Sequence, residues 1–328
     1  MNKIPKIKDS NQKFITPREV KREITIYPHS LNIKPWYKKA LPQPDYDYGI
    51  IQAKLNAGIG DLIYTKATLD SIKHRFKRII VSADMHMIRL YRSKEYEDFV
   101  WYLCELMFSK PPYELTRNQN LINRSQHSLW EEDGFYPVRP NREYFSKLFC
   151  RPLNETFRRD YVVVTTKVRW FSKVKWEDTR NIFFNALNTI SSKYDIMIMG
   201  EQKIEDTLEY RKINNKRNDG GGIYTIYKDL IKYINPDALI DRTTPYILVN
   251  PSIKQFHYDC SIMNKAQKVI CVGHGGNHCL AQSISNCITF LDDFNNYTFI
   301  VEQMVYPKND DDAVRDIYLL DKIIRKIR

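Results

Sequence analysis

Residues 48–84 read "YGIIQAKLNAGIGDLIYTKATLDSIKHRFKRIIVSAD". The first nine, "YGIIQAKLN", form an apolar run of strand length. After the turn "AGIG", residues 60–76 space their apolar side chains as a helix does, and "KRIIVSAD" at 77–84 is a second strand. Strand, helix and strand on short links make a right-handed parallel unit.

The same alternation resumes after Asp160. "YVVVTTKV" (161–168) is a strand, "WEDTRNIFFNALNTISSKY" (176–194) a helix and "DIMIMG" (195–200) a strand. Further on, "SIKQFHYDCSIMNKA" (252–266) is helical and "KVICVG" (268–273) a strand. "GGNHCLAQSISN" (275–286) is then a helix and "CITFLDD" (287–293) a last strand. Between them "KIEDTLEYRKI" (203–213) and "IYTIYKDLIKYI" (223–234) read as helices around the loop "NNKRNDGGG". Before the first strand lies a basic arm, residues 1–45, ending in the proline-punctuated "KPWYKKALPQPDYD". The expected organisation is therefore α/β, with two Rossmann-like parallel domains facing each other across a cleft. The first spans 46–155 and the second 156–305, and a basic amphipathic helix, 306–328, packs back across them. Residues 109–155 are rich in Pro, Asn and aromatics and show no clear period.

With 328 residues, 43% of them hydrophobic, the chain has material for two such cores. It shows neither a signal peptide nor an apolar run of membrane-spanning length, which points to the cytoplasm. The six cysteines, at 104, 150, 260, 271, 279 and 287, follow no disulfide pattern and suit buried thiols in a reducing compartment. A net charge of +12 favours anionic partners. No RNA-recognition signature, zinc-finger spacing or long basic helix accompanies that charge, so nucleic acid ranks behind phosphorylated small molecules. The terminal helix leaves room for peripheral contact with an acidic membrane.

In an open α/β sheet, ligands bind beyond the carboxyl ends of the strands. Two glycine turns sit there, "NAGIGD" with Asn56, Gly58, Gly60 and Asp61, and "GHGGNH" spanning Gly273 to His278. Glycine lets a ligand approach the backbone closely, and the helix that follows offers unpaired amides and a partial positive charge to phosphate. The second turn carries no acid, so it suits a diphosphate, with His274, Asn277 and His278 near the ligand. The first places a carboxylate at its helix start, which repels phosphate. Asp61 there is either a general base or a hydroxyl binder, or simply a helix cap. Lys167, Arg169, Lys173 and Lys175, interleaved with Trp170 and Trp176, open the second half, and Glu201 follows its second strand. Lysines in that place can neutralise a leaving diphosphate, and a carboxylate at a strand end can hold a sugar hydroxyl or cap a helix.

Taken in order, four segments resemble the heptosyltransferase-like glycosyltransferases of family nine, which have the GT-B fold. They are "AGIGDLIYTKATLDSIKHRF", "VVVTTKVRWFSKVKW", "YDIMIMGEQKIED" and "KAQKVICVGHGGNHCLAQSISNCITFLDD". The resemblance covers about residues 48–293 and rests on the order of the segments rather than on any one of them. It implies a GT-B-like chain with Asp61 as base on the acceptor hydroxyl and Lys175 meeting donor phosphate. Glu201 or Glu205 would help to hold the donor, and Gly275 and His278 belong to the donor loop, with Gly273, His274, Gly276 and Asn277 around them. The family carries Asp-Thr where this chain has Gly273-His274, so the resemblance does not name the sugar. The implied reaction is inverting transfer from a nucleotide-diphosphate sugar to a glycan, glycolipid or other hydroxyl acceptor, with no cofactor and no metal ion.

Three alternatives stay open. Gly58, Gly60 and Asp84 supply part of a dinucleotide fingerprint whose third glycine is replaced by Ile63, as in an NAD(P)-dependent oxidoreductase. His257, Cys260, His274, His278 and Cys279 have spacings compatible with zinc. A non-catalytic basic α/β binding protein is the third.

Overall fold

Strands whose side chains are apolar on both faces need cover on both faces, and in the second half of this chain the helices between the strands supply it. The computed structural model describes residues 50–55, 58–76, 78–83, 94–117, 140–169, 171, 173–204, 222–244, 252–273, 275–290 and 304–305. The basic arm, the terminal helix and the segment 203–213 beyond Ile204 lie outside these residues, as do Asp84 and the loop 214–221. The chain divides into two units, residues 1–141 with 294–302, and 142–293 with 303–328.

The first unit holds β1 (Ile50–Leu55), α1 (Ile59–Ile72), β2 (Arg78–Ala83), α2 (Lys94–Phe108) and β3 (Tyr113–Thr116). Its sheet runs β1-β2-β3, parallel throughout, with Ile51 beside Ile79 and Ile79 beside Tyr113. Leu62, Ile63 and Leu69 of α1 and Val100, Leu103 and Phe108 of α2 are buried on it. Lys66 is only 3% exposed. Its ammonium donates to Asp70 Oδ1 at 2.7 Å and lies 4.2 Å from the centre of the Tyr113 ring, whose hydroxyl donates to the same oxygen at 2.6 Å. Burial pushes the Lys66 pKa down against that pairing.

The second unit begins earlier than the sequence suggests. Residues 142–155 belong to it, because α3 (Arg142–Phe149) buries Phe145 and Phe149 against two of its helices. There follow β4 (Tyr161–Thr165), β5 (Lys167–Arg169), α4 (Lys173–Ile190), β6 (Asp195–Glu201), β7 (Ile223–Thr225) and α5 (Tyr227–Tyr233). Then come β8 (Leu239–Thr244), α6 (Ile253–Lys265), β9 (Lys268–Val272), α7 (Gly276–Ile284), β10 (Cys287–Phe290) and β11 (Met304–Val305). Six strands form one parallel sheet in the order β11-β10-β9-β4-β6-β8, and β5 pairs antiparallel with β7. The segment 223–234 is thus a short strand followed by a helix, because the ladder to β5 captures its first three residues.

Alternation along the strands assigns the two faces of this sheet. Val162, Val164, Ile196, Ile198, Ile270 and Val272 pack with Phe183, Phe184 and Leu187 of α4 and Leu230 of α5. Tyr161, Val163, Met197, Val269 and Cys271 take the other face, where the Tyr161 hydroxyl donates to the Ile262 carbonyl of α6 at 2.9 Å. None of the six cysteines is in a disulfide; five are buried and Cys150 is half-buried. No helix among the described residues is long and apolar enough to cross a membrane.

His257 joins α6 to the end of α3. A carbonyl can only accept, so Nδ1–H donates to the Phe149 oxygen at 2.6 Å, and Nε2 accepts from Arg151 Nη2 at 3.3 Å. Burial pushes its pKa below 6.5, and the Arg151 charge adds to this against the Phe149 bond. The unfolded chain then takes up a proton that the fold refuses, so this stabilisation is complete above pH 6.5 and is lost as the pH falls. Asp259 has the opposite sign, since burial pushes its carboxyl up to about 6 and the fold prefers it protonated. In an Asp259→Asn background, the urea midpoint is therefore expected to drop between about pH 7.5 and about pH 5, and adding His257→Gln should remove the drop.

Candidate functional site

Chain order locates the crevice of the second unit. From β4 the strands add outward through β6 to β8, and the chain then returns to the other side of β4 with β9 and continues to β10. The order reverses between β4 and β9, and ligands in such sheets bind at the carboxyl ends of that pair. Both ends carry residues singled out from sequence.

Beyond β9, Gly273 has φ +70° and donates its amide to the Phe290 carbonyl at 2.7 Å. It also bridges to Arg169, whose carbonyl oxygen fills the place of a side chain on Gly273. Gly275, at φ +154°, caps α7, and the Arg169 methylenes lie across it, with Cδ 3.1 Å from where a Cβ would stand. The turn is thus sealed on one side by Arg169. Gly276 and Asn277, both half-buried, open α7, whose first turn has no side-chain cap. Amides at such a helix start are seats for an anion. His278 is placed differently from the expectation of a ligand contact. It is 2% exposed, with Nε2 3.0 Å from Gln282 Oε1 and Nδ1 3.7 Å from Cys279 Sγ.

Beyond β4, Thr166 ties three elements together. Its amide donates to the Met199 carbonyl, its hydroxyl to the Glu201 carbonyl at 2.8 Å, and its own carbonyl accepts from the Ile226 amide. Gly200, at φ +117°, leaves room for that hydroxyl, which would stand 2.5 Å from a Cβ. The Thr225 hydroxyl donates to the same Glu201 carbonyl at 3.0 Å. Glu201 is therefore held at its backbone from two sides, and its side chain is held at one oxygen. Lys167 Nζ donates to Oε1 at 2.9 Å, whereas Oε2 is buried without a hydrogen-bond partner. At 3% exposure this is a carboxylate oxygen in the protein interior with nothing to accept from. The Lys167 charge is thus opposed by Glu201 rather than standing alone for phosphate.

The lysine-tryptophan element is anchored through its ring. Trp176 is 4% exposed, stacks edge-on against Phe183 at 5.2 Å, and donates its indole N–H to Asp229 Oδ2 of α5 at 2.7 Å. Lys175 lies in the first turn of α4, with its side chain outside the described residues, as are Asn56, Glu205 and His274. Asp61 belongs to the first unit, at the third position of α1, half-buried. Its Oδ2 lies 2.8 Å from where a Cβ on Gly58 would stand, with Gly58 itself in extended backbone. A side chain at position 58 would therefore have to displace that carboxylate, the movable end of Asp61. Gly60 is buried within α1.

Among the described residues no group of three or more His, Cys, Asp or Glu side chains could hold a metal ion. Thr166, Thr225 and Thr244 are not among the site residues legible in the sequence. Hydroxyls at the carboxyl ends of strands are the signal that finds the first, but Thr244 ends a half-exposed strand with no apolar alternation to announce it.

No family model and no curated protein matches the sequence. The structure does align with solved ones. E. coli ADP-heptose LPS heptosyltransferase II aligns at TM-score 0.44 and 9% identity over 85% of this chain and 98% of its own. The iron-containing dodecameric glycosyltransferase TibC of enterotoxigenic E. coli H10407 aligns at 0.44 and 10%, over 86% and 78%. A family 9 glycosyl transferase from Veillonella parvula DSM 2008 aligns at 0.43 and 10%, over 86% and 97%.

Proposed function

We propose that this chain is a glycosyltransferase that moves a sugar from a nucleotide-diphosphate sugar to an acceptor hydroxyl, with inversion and without a metal ion. One observation carries the reading. At the switch between β4 and β9, a glycine-bounded helix start able to take a diphosphate shares one sheet end with a buried carboxylate oxygen that lacks a donor. A nucleotide-diphosphate sugar offers both groups, an anion for the α7 amides and hydroxyls for Glu201. The four ordered segments that resemble family nine support the same reading.

In this proposal the second unit binds the donor and the first the acceptor. The acceptor oxygen forms a bond to the anomeric carbon as the bond from that carbon to the diphosphate oxygen breaks. The hydroxyl proton passes to the Asp61 carboxylate, and the electron pair of the broken bond leaves on the diphosphate. Lys175, with Arg169 beside the glycine turn, offsets the charge growing there, and the α7 amides add their dipoles. Attack from the face opposite the leaving group inverts the carbon. The acceptor is a glycan, glycolipid or other hydroxyl compound, and the compartment is the cytoplasm.

The test is a thermal-shift panel on the full chain with nucleoside diphosphates, nucleotide sugars, NAD and NADP. At a hundredfold excess over Kd a ligand of the folded state adds about 2.7 kcal/mol, a readily measured rise in melting temperature. One or more nucleoside diphosphates or their sugars should raise it. A rise with NAD or NADP alone, or with nothing, overturns the reading.

A further inference from the structure

A buried polar atom without a hydrogen bond is rare enough in folded proteins to need a reason. Glu201 Oε2 is one, and Thr244 Oγ1 is another. They are neighbours. Glu201 ends β6 and Thr244 ends β8, the two residues are paired in register, and the Thr244 carbonyl accepts from the Gln202 amide at 2.9 Å. Paired residues of parallel strands point to the same face, about 4.8 Å apart. That face also carries Cys271 and Tyr161, the latter bonded to α6, and is opposite the one packed on α4.

The other face of β8 is closed. Thr243 donates its hydroxyl to Asp241 Oδ1 at 2.6 Å and accepts from Gln202 Nε2 at 3.0 Å, and Asp241 Oδ2 accepts from the Tyr227 hydroxyl. Two adjacent threonines thus differ sharply, one fully bonded and one with a buried oxygen left over.

We infer that Thr244 is a specificity-determining residue of the donor site, and that it and Glu201 together receive a vicinal diol. This rests on the nucleotide-sugar reading above and deepens it. Glu201 Oε2 can only accept, so the ligand must donate to it. Lys167 already opposes the carboxylate charge, so a neutral O–H donor fits better than a second cation. A threonine hydroxyl both donates and accepts, which a second hydroxyl on the next carbon can answer. The diol has two possible sources, the sugar of the nucleoside and the sugar being transferred.

The experiment measures the affinity of the full chain for ADP, UDP and GDP, for their 2′-deoxy analogues and for the corresponding nucleotide glucoses. Wild type, Thr244→Val and Thr244→Ser are compared. Thr244→Val keeps the shape and removes an oxygen that no protein group uses, so the melting temperature of the unliganded chain should hold or rise. Affinity for the tightest ligand should fall about five- to tenfold, and Thr244→Ser should restore it. If the nucleoside supplies the diol, 2′-deoxy analogues bind wild type and Thr244→Val alike. If the transferred sugar supplies it, only the nucleotide glucoses separate the two proteins. A lower melting temperature for unliganded Thr244→Val assigns the hydroxyl a role within the fold and overturns the inference. So does equal affinity of both proteins for every ligand that wild type binds. A wild type that binds none of the panel overturns the glycosyl-transfer reading and this inference with it.

Discussion

Asp61→Asn is expected, on the proposed reaction, to lower turnover about 10²- to 10⁴-fold, the usual contribution of a general base, while the chain still folds and still binds the proposed donor. Asp61 is at the third position of α1, folded back over Gly58 in space that any side chain there would occupy. Such an acid also interacts favourably with the helix start, worth about 0.3–1 kcal/mol. The two roles separate by measurement. A base loses turnover and little stability on substitution by Asn, and donor binding by the second unit is untouched. A helix-start charge loses up to about 1 kcal/mol of stability and no turnover. Turnover within threefold of wild type, with a lower urea midpoint, would assign Asp61 the second role and remove the base from the mechanism.

Gly273→Ala should have the largest effect on the fold. A non-glycine residue at φ +70° carries backbone strain of about 1–3 kcal/mol. The added methyl would also enter the Arg169 carbonyl oxygen and stand 3.2 Å from Phe171 Cβ. Neither neighbour can step aside cheaply. Arg169 is held by its ladder to Ile223 on β7, and Phe171 is fully buried. Strain and overpacking together give a loss of about 3 kcal/mol or more. The urea midpoint of the second unit should fall accordingly, and nucleotide binding should fail because the turn that opens α7 is displaced. A variant with wild-type stability would mean that Arg169 does not lock this turn.

Local pattern fixed the parts of this protein whose structure is decided by near neighbours. Glycine turns between apolar runs and helical spacings are read within a dozen residues, so α1, α6, α7 and the strands β1, β2, β4, β6, β9 and β10 were legible. The elements that escaped are those stabilised by distant partners. β3 ("YELT") and β8 ("LIDRTT") are short and half-exposed, and they are strands because β2 and β6 present a ladder to them. β7 left a helix-like run because β5 pairs with it, and α3 belongs to the second unit because Phe145 and Phe149 are buried there.

The site divides along the same line. The chain's order of residues alone placed Gly273, Gly275, Lys167 and Glu201 at strand ends, since a strand's end is a local property. Which strand ends become neighbours depends on the sheet order β9-β4-β6-β8, set by crossovers of tens of residues. Only the assembled sheet brings Lys167 onto Glu201, aligns Thr244 with it, and lays Arg169 across the glycine turn. Hydrogen-bond completeness is likewise a property of the packed protein, and the carboxylate oxygen left without a donor appears only once everything around it is in place.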